Sequence, residues 1–143
     1  MSLHQNLKVL SEMPLFRNID PRRLRVIAMT GETLAFRAGE RLFEKGDDGD
    51  AAYVVLRGEV DVLVPVPAGE TSVAVLGPGQ IVGEMAVLTD GIRSTAIAAK
   101  SDVEVMRFDR SVILSLLREF PDFSLEMIRV LARRLEATTA RSV

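Results

Sequence analysis

The spacing of apolar residues changes character twice along this chain. Leu3, Leu7, Val9 and Leu10 recur near helical spacing, and Asp20-Pro21 offers a capping carboxylate followed by a proline suited to a first helical turn. A second helix begun there carries Leu24, Ile27 and Ala28 toward a core, so residues 3–29 are predicted to be helical. From Glu32 the pattern shortens to strand-like runs broken by Gly, Pro or Asp. They are Thr33-Leu34-Ala35-Phe36, Arg41-Leu42-Phe43-Glu44, Ala52 to Leu56, Val60 to Val64, Ser72 to Leu76, Thr95 to Ala99 and Val103 to Phe108. Several alternate apolar and polar residues, as strands with one buried face do. Seven or eight such runs at regular spacing predict a barrel or sandwich over residues 32–108. Pro65-Val66-Pro67-Ala68-Gly69-Glu70 breaks the alternation and is predicted to be an exposed hairpin loop. Helical spacing returns after Asp109, a capping residue for 111–118, and Pro121 opens a last helix that runs to about Thr139.

Composition narrows the function more than the fold. The 143 residues suit one domain, residues 1–143, built around one substantial core. Hydrophobic content is 48%, yet no apolar run is long enough to cross a membrane, and the opening Met1 to Asn6 is too polar for an export signal. A net charge of −2 argues against a broadly basic nucleic-acid surface. With no cysteine, disulfides, thiolate catalysis and cysteine-held metal clusters are excluded. The single histidine, His4, removes a His-rich metal barrel and a core Ser–His triad. No second catalytic group converges with any candidate carboxylate, so the chain is not expected to be an enzyme or to carry a metal or cofactor. A cytoplasmic setting is the simplest expectation.

Candidate chemistry concentrates between residues 83 and 96. Ile81-Val82-Gly83-Glu84-Met85-Ala86-Val87-Leu88 followed by Arg93-Ser94-Thr95-Ala96 packs a glycine turn, a carboxylate, a short apolar helix and an arginine into one loop. Backbone N–H groups after Gly83 can face a phosphate. Arg93 can grip two phosphate oxygens with its planar fork. Glu84 repels a phosphate but can accept a hydrogen bond from a neighbouring hydroxyl, such as a ribose 2′-OH. Arg93 is costly to bury without an anion, and Glu84 is the carboxylate placed to neutralise it. Met85, Ala86, Val87 and Leu88 read as packing residues apart from their backbone groups.

This stretch resembles the phosphate-binding cassette of the cyclic nucleotide-binding domain. The turns upstream are similar as well: Ala38-Gly39-Glu40, Lys45-Gly46-Asp47, Gly49-Asp50, Arg57-Gly58-Glu59 and Gly77-Pro78-Gly79-Gln80. The resemblance runs from about Pro14 to about Thr139. It implies an α+β fold, an antiparallel, jelly-roll-like β-roll flanked by N-terminal helices and two C-terminal helices, with the cassette at residues 83–96. It also implies a cyclic nucleotide as ligand, most simply cAMP, with cGMP the competitor because Ser94 offers guanine a hydroxyl. Arg93 and Ser94 would face the cyclic phosphate, and Gly83, Glu84 and Met85 would surround ribose and phosphate. Leu131 to Thr139 resembles the helix that meets the base in this family, which carries Arg134, Thr138 and Thr139 over as base contacts. Thr95 stands where alanine is usual and Ile92 where proline is frequent.

The same last helix carries a second pattern. Leu125, Ile128, Ala132, Leu135 and Thr139 form one stripe suited to pairing with a second copy, while Met127, Leu131 and Arg134 occupy a neighbouring face that can turn toward the β-roll. The expected function is a regulatory sensor that couples nucleotide binding to rearrangement of this helix. The alternative is a degenerate interaction module of the same fold that binds no nucleotide. Four residues follow Thr139, so no helix-turn-helix is expected within the chain, and output is expected to pass through an effector domain or partner.

Overall fold

The computed structural model describes residues 3–89 and 91–142, with side chains as far as Ala137. Helix α1 (Leu3–Glu12), a 3₁₀ turn (Pro14–Phe16) and α2 (Pro21–Met29) open the chain. The cap at Asp20 forms as expected: its carboxylate accepts from the backbone N–H of Arg22, and Pro21 fills the first turn. Eight antiparallel strands follow: β1 (Glu32–Phe36), β2 (Arg41–Phe43), β3 (Ala51–Arg57), β4 (Val60–Val66), β5 (Gly69–Leu76), β6 (Ile81–Val82), β7 (Ala96–Ala99) and β8 (Val103–Asp109). A short helix, α3 (Glu84–Leu88), lies between β6 and β7, and α4 (Arg110–Glu119) and α5 (Pro121–Ser142) close the chain. The strands form two four-stranded sheets in the orders β1-β8-β3-β6 and β2-β7-β4-β5. This is the expected β-roll with helices at both ends.

β3 is buried on both faces, because it sits between the two layers of apolar packing. On one side Val55 joins Phe43, Val60, Val82, Ile97, Val103 and Val105 between the sheets. On the other, Val54 and Leu56 meet Leu10, Phe16, Leu24, Ile113, Phe123 and Met127 from the helices. The sheet that presents β6 to the cassette is therefore held from both faces. The helices pack against that same sheet.

Two local expectations are corrected. Residues 65–70 are not an open loop, since Pro65 pairs with Glu70 and Val66 with Gly69, leaving only Pro67-Ala68 as the turn. Pairing of β4 with β7 stops at Leu63↔Ala96, so Pro65 lies beyond the strand that would have required its missing N–H. Asp109 does occupy the N-cap of α4, but its side chain makes no cap bond. The carboxylate instead accepts from Arg107 Nη1 at 2.7 Å.

Candidate functional site

The site begins where β6 ends. Val82 pairs with Tyr53 of β3, and Gly83 then turns the chain at φ 77° and ψ 10° into α3. That left-handed conformation favours glycine, and packing demands it too. A β-carbon at Gly83 would lie 2.6 Å from Arg93 Nη1 and 3.3 Å from Phe43 Cε2. The same close approach lets the Gly83 carbonyl accept from Arg93 Nη1 at 2.8 Å.

Arg93 is only 3% exposed. Its Nη2 donates to the carbonyl of Ala51 at 2.7 Å, and its guanidinium lies 4.0 Å from the centroid of the Phe43 ring and 5.8 Å from that of Tyr53. Its buried Nε has no hydrogen-bond partner among the described residues. Desolvation lowers the pKa of Arg93 from its ordinary value, against the raising influence of Tyr53, Asp50 and Asp47. Among the described residues no carboxylate bonds the guanidinium; two neutral carbonyls and an aromatic face hold a buried cation. The backbone of Arg93 is fixed by the preceding loop, with its N–H on the Asp47 carbonyl at 2.9 Å and its own carbonyl on the Gly46 N–H at 2.9 Å.

Glu84 does not neutralise Arg93 as the sequence suggested. The carboxylate, 2% exposed, is paired with Arg134 Nη1 of α5, whose Nη2 also donates to the Ile81 carbonyl at 2.6 Å. Geometry explains the choice. Gly83 sends the Glu84 side chain toward the helical face while Arg93 points between the sheets. Arg134, expected at the base, thus touches the carboxylate expected at the ribose. Beside it, Met13, Leu15, Gln80, Ile81, Val130 and Arg133 border a cavity of about 340 Å³ between α5 and the turn before β6.

The remaining expected residues divide. Gly83, Glu84, Arg93 and Ser94 lie in one corner, with Ser94 exposed. Met85, expected to pack, is 49% exposed, because Ala86 and Val87 are the residues of α3 that face inward. The side chains of Thr138 and Thr139 lie outside the described residues. Phe43, Tyr53 and the Ala51 carbonyl were not singled out from the sequence. Phe43 and Tyr53 read simply as inward strand positions, and a backbone acceptor leaves no mark in residue types. Among the described residues no group of His, Cys, Asp and Glu could hold a metal ion, and no helix is long and apolar enough to cross a membrane.

A buried arginine thus bonds the glycine turn, and a buried carboxylate begins a short helix between two strands. The family model described as the cyclic nucleotide-binding domain matches residues 33–120. The chain belongs to this family. In this cyclic nucleotide-binding domain the match takes in the whole β-roll, the cassette and α4. The chain is similar to a CRP-like cAMP-activated global transcriptional regulator of Mycobacterium tuberculosis, 26% identical over 92% of this chain and 59% of that protein. Its fold matches the crystal structure of the Thermus thermophilus catabolite activator protein with a TM-score of 0.79 and 32% identity, over 90% of this chain and 61% of that one. It also matches the regulatory domain of Toxoplasma gondii PKA in co-crystals with cAMP, with a TM-score of 0.71 and 26% identity over 79% and 43% of the two chains. The chain spans about three-fifths of the length of the bacterial regulators it matches.

Proposed function

We propose that this cyclic nucleotide-binding domain is a non-catalytic cAMP sensor whose output is the position of α5. The observation that carries the reading is the state of Arg93: a guanidinium that, among the described residues, is buried with an orphan Nε–H and bonds only neutral acceptors. A phosphate would supply the anion that this cation lacks, through charge-assisted hydrogen bonds about twice as strong as neutral ones. Ser94, next in sequence and exposed, would add a hydroxyl to the same phosphate. Glu84 would accept from the ribose 2′-OH, with Gly83 and Met85 contributing backbone around ribose and phosphate. Arg134, Thr138 and Thr139 would meet the base, a hydroxyl there accepting from the adenine amino group that guanine lacks at that position.

The link to output lies in Glu84. Its partner Arg134 belongs to α5, so a ribose hydroxyl at Glu84 changes what Arg134 gains by staying. A ligand with different affinity for two positions of α5 shifts their populations by that difference. One face of α5 already rests on the roll through buried Met127 and half-buried Leu131, while Leu125, Ile128 and Leu135 are 45%, 61% and 67% exposed. We propose that a second copy covers this stripe, giving a homodimer through α5. An effector domain or partner then reads the helix.

One observation favours a second reading. Both terminal nitrogens of Arg93 and the carboxylate of Glu84 already have protein partners, and Thr95 adds bulk beside them. On that reading the domain is a degenerate interaction module. Isothermal titration with cAMP and with cGMP separates the two. The sensor gives saturable heat with cAMP, and modestly weaker binding of cGMP. No heat and no thermal shift with either nucleotide at millimolar concentration would leave the module.

A further inference from the structure

A second arginine is placed on the cassette from outside the roll. Arg110 is the first residue of α4, and its Nη2 donates to two carbonyls from different parts of the chain, Ala86 of α3 at 2.6 Å and Gly49 of the loop before β3 at 3.0 Å. Its backbone N–H donates to the Asp50 carbonyl at 2.8 Å. Its buried Nε, like that of Arg93, has no partner among the described residues. The surrounding backbone is shaped to admit it. A β-carbon on Gly91, at φ +92°, would lie 2.8 Å from Arg110 Nη2, and one on Gly49 would lie 2.1 Å from the Ala86 β-carbon. Asp48 bridges to Ile92, and Gly49 N–H donates to the Gly91 carbonyl.

These contacts join three segments at one guanidinium: the loop at residues 47–50, the cassette helix α3, and the start of α4. The loop is also the frame of Arg93, which bonds Asp47 through its backbone and Ala51 through its side chain. One short stretch, residues 47–51, therefore lies between the two arginines. We propose that Arg110 is a positioning residue for the cassette: it holds α3 and the Arg93 loop in one frame with α4, so that α4 follows the cassette when the site is filled. It acts through backbone carbonyls and, among the described residues, bonds none of those assigned to the nucleotide. A charged, planar donor suits this work, because one guanidinium nitrogen carries two N–H groups and can serve two carbonyls.

The proposal deepens the cAMP reading and rests on it for the response of α4, but the clamp itself can be read without ligand. The experiment is hydrogen exchange on wild type, Arg110→Met and Arg110→Lys, each with and without saturating cAMP, alongside titration of cAMP. Without ligand, Arg110→Met should speed exchange in residues 46–50 and 84–88 at least tenfold while α5 keeps its protection. Arg110→Lys should restore part of that protection, since an ammonium keeps the charge and loses the fork. With cAMP, the methionine variant should bind at least tenfold more weakly and lose the ligand-induced change in α4. Unchanged ligand-free exchange in both segments would overturn the clamp. Wild-type-like affinity with an intact α4 response would overturn the positioning role. If wild type itself ignores cAMP, the sensor reading falls, and the ligand-free comparison still decides the clamp. Should the methionine variant fail to fold, the lysine variant carries the same comparison.

Discussion

Arg93 keeps its charge where water barely reaches, and this makes it the residue on which the site turns. Two carbonyls and the face of Phe43 hold it. Arg93→Ala removes charge-assisted hydrogen bonds to a phosphate worth about 1.5–3 kcal/mol, so cAMP affinity should fall about tenfold to a hundredfold or more in titration. Arg93→Lys should recover only part, because an ammonium does not reproduce the fork. A folded alanine variant with near-wild-type affinity would place the phosphate elsewhere. Gly83 carries a separate prediction. Gly83→Ala puts a β-carbon 2.6 Å from Arg93 Nη1 and forces a left-handed residue, a backbone cost of about 1–2 kcal/mol. Its thermal midpoint should fall clearly below that of wild type, with cAMP binding weakened in the same variant. An unchanged midpoint would show that the turn is not under this constraint.

Among the elements, α5 presents one exposed and one packed face, and the sequence separated them. The 3-4-3 spacing of Leu125, Ile128, Ala132 and Leu135 marked the stripe that is exposed, and Met127, Leu131 and Arg134 marked the side that faces the roll. Alternation likewise gave the strands, and the glycine-carboxylate-arginine spacing gave the cassette. Missed features depend on who neighbours whom. Pro65 looked like a strand breaker, and it is one only where a neighbour needs its N–H; β7 ends before reaching it. Asp109 looked like a capping side chain, yet Arg107 two residues earlier takes its carboxylate. Glu84 looked like the partner of Arg93, but Gly83 turns it toward α5. Pairings of this kind are decided by chain direction at a turn, which residue types do not encode. If the exposed stripe is a seam between two copies, Leu135→Glu should shift light-scattering mass from dimer toward monomer while cAMP binding persists. Wild type already monomeric at high concentration would remove the seam. At the base end, Thr138→Val should narrow the preference for cAMP over cGMP, and unchanged affinities for both would mean that this hydroxyl does not read the base.

Across the whole molecule, the two ends of the chain meet the roll through different chemistry. At the N-terminal end, buried Asn6 of α1 accepts from Arg57 Nη2 at 2.9 Å, and Arg57 Nε donates to Glu104 at 2.7 Å, tying α1 to β3 and β8. The hydrogen bond from Arg57 holds the Glu104 carboxyl below its ordinary value of 4.5, against the raising effect of burial. A carboxyl with a lowered folded pKa stabilises the fold above its unfolded pKa and loses that contribution as pH falls through the folded value. Thermal midpoints should therefore decline with acid below about pH 4.5 in wild type and less steeply in Glu104→Gln. Equal slopes would assign the acid loss to other groups.

At the C-terminal end, the Glu84–Arg134 pair and the packing of Met127 join α5 to the cassette side of the roll. That connection is where nucleotide binding would become movement, and hydrogen exchange across residues 121–137 with and without saturating cAMP addresses it most directly. Exchange should change with ligand most at the turn that carries Arg134 and less toward Pro121. Exchange in this helix that is indifferent to saturating cAMP would contradict the claim that α5 reports the state of the site.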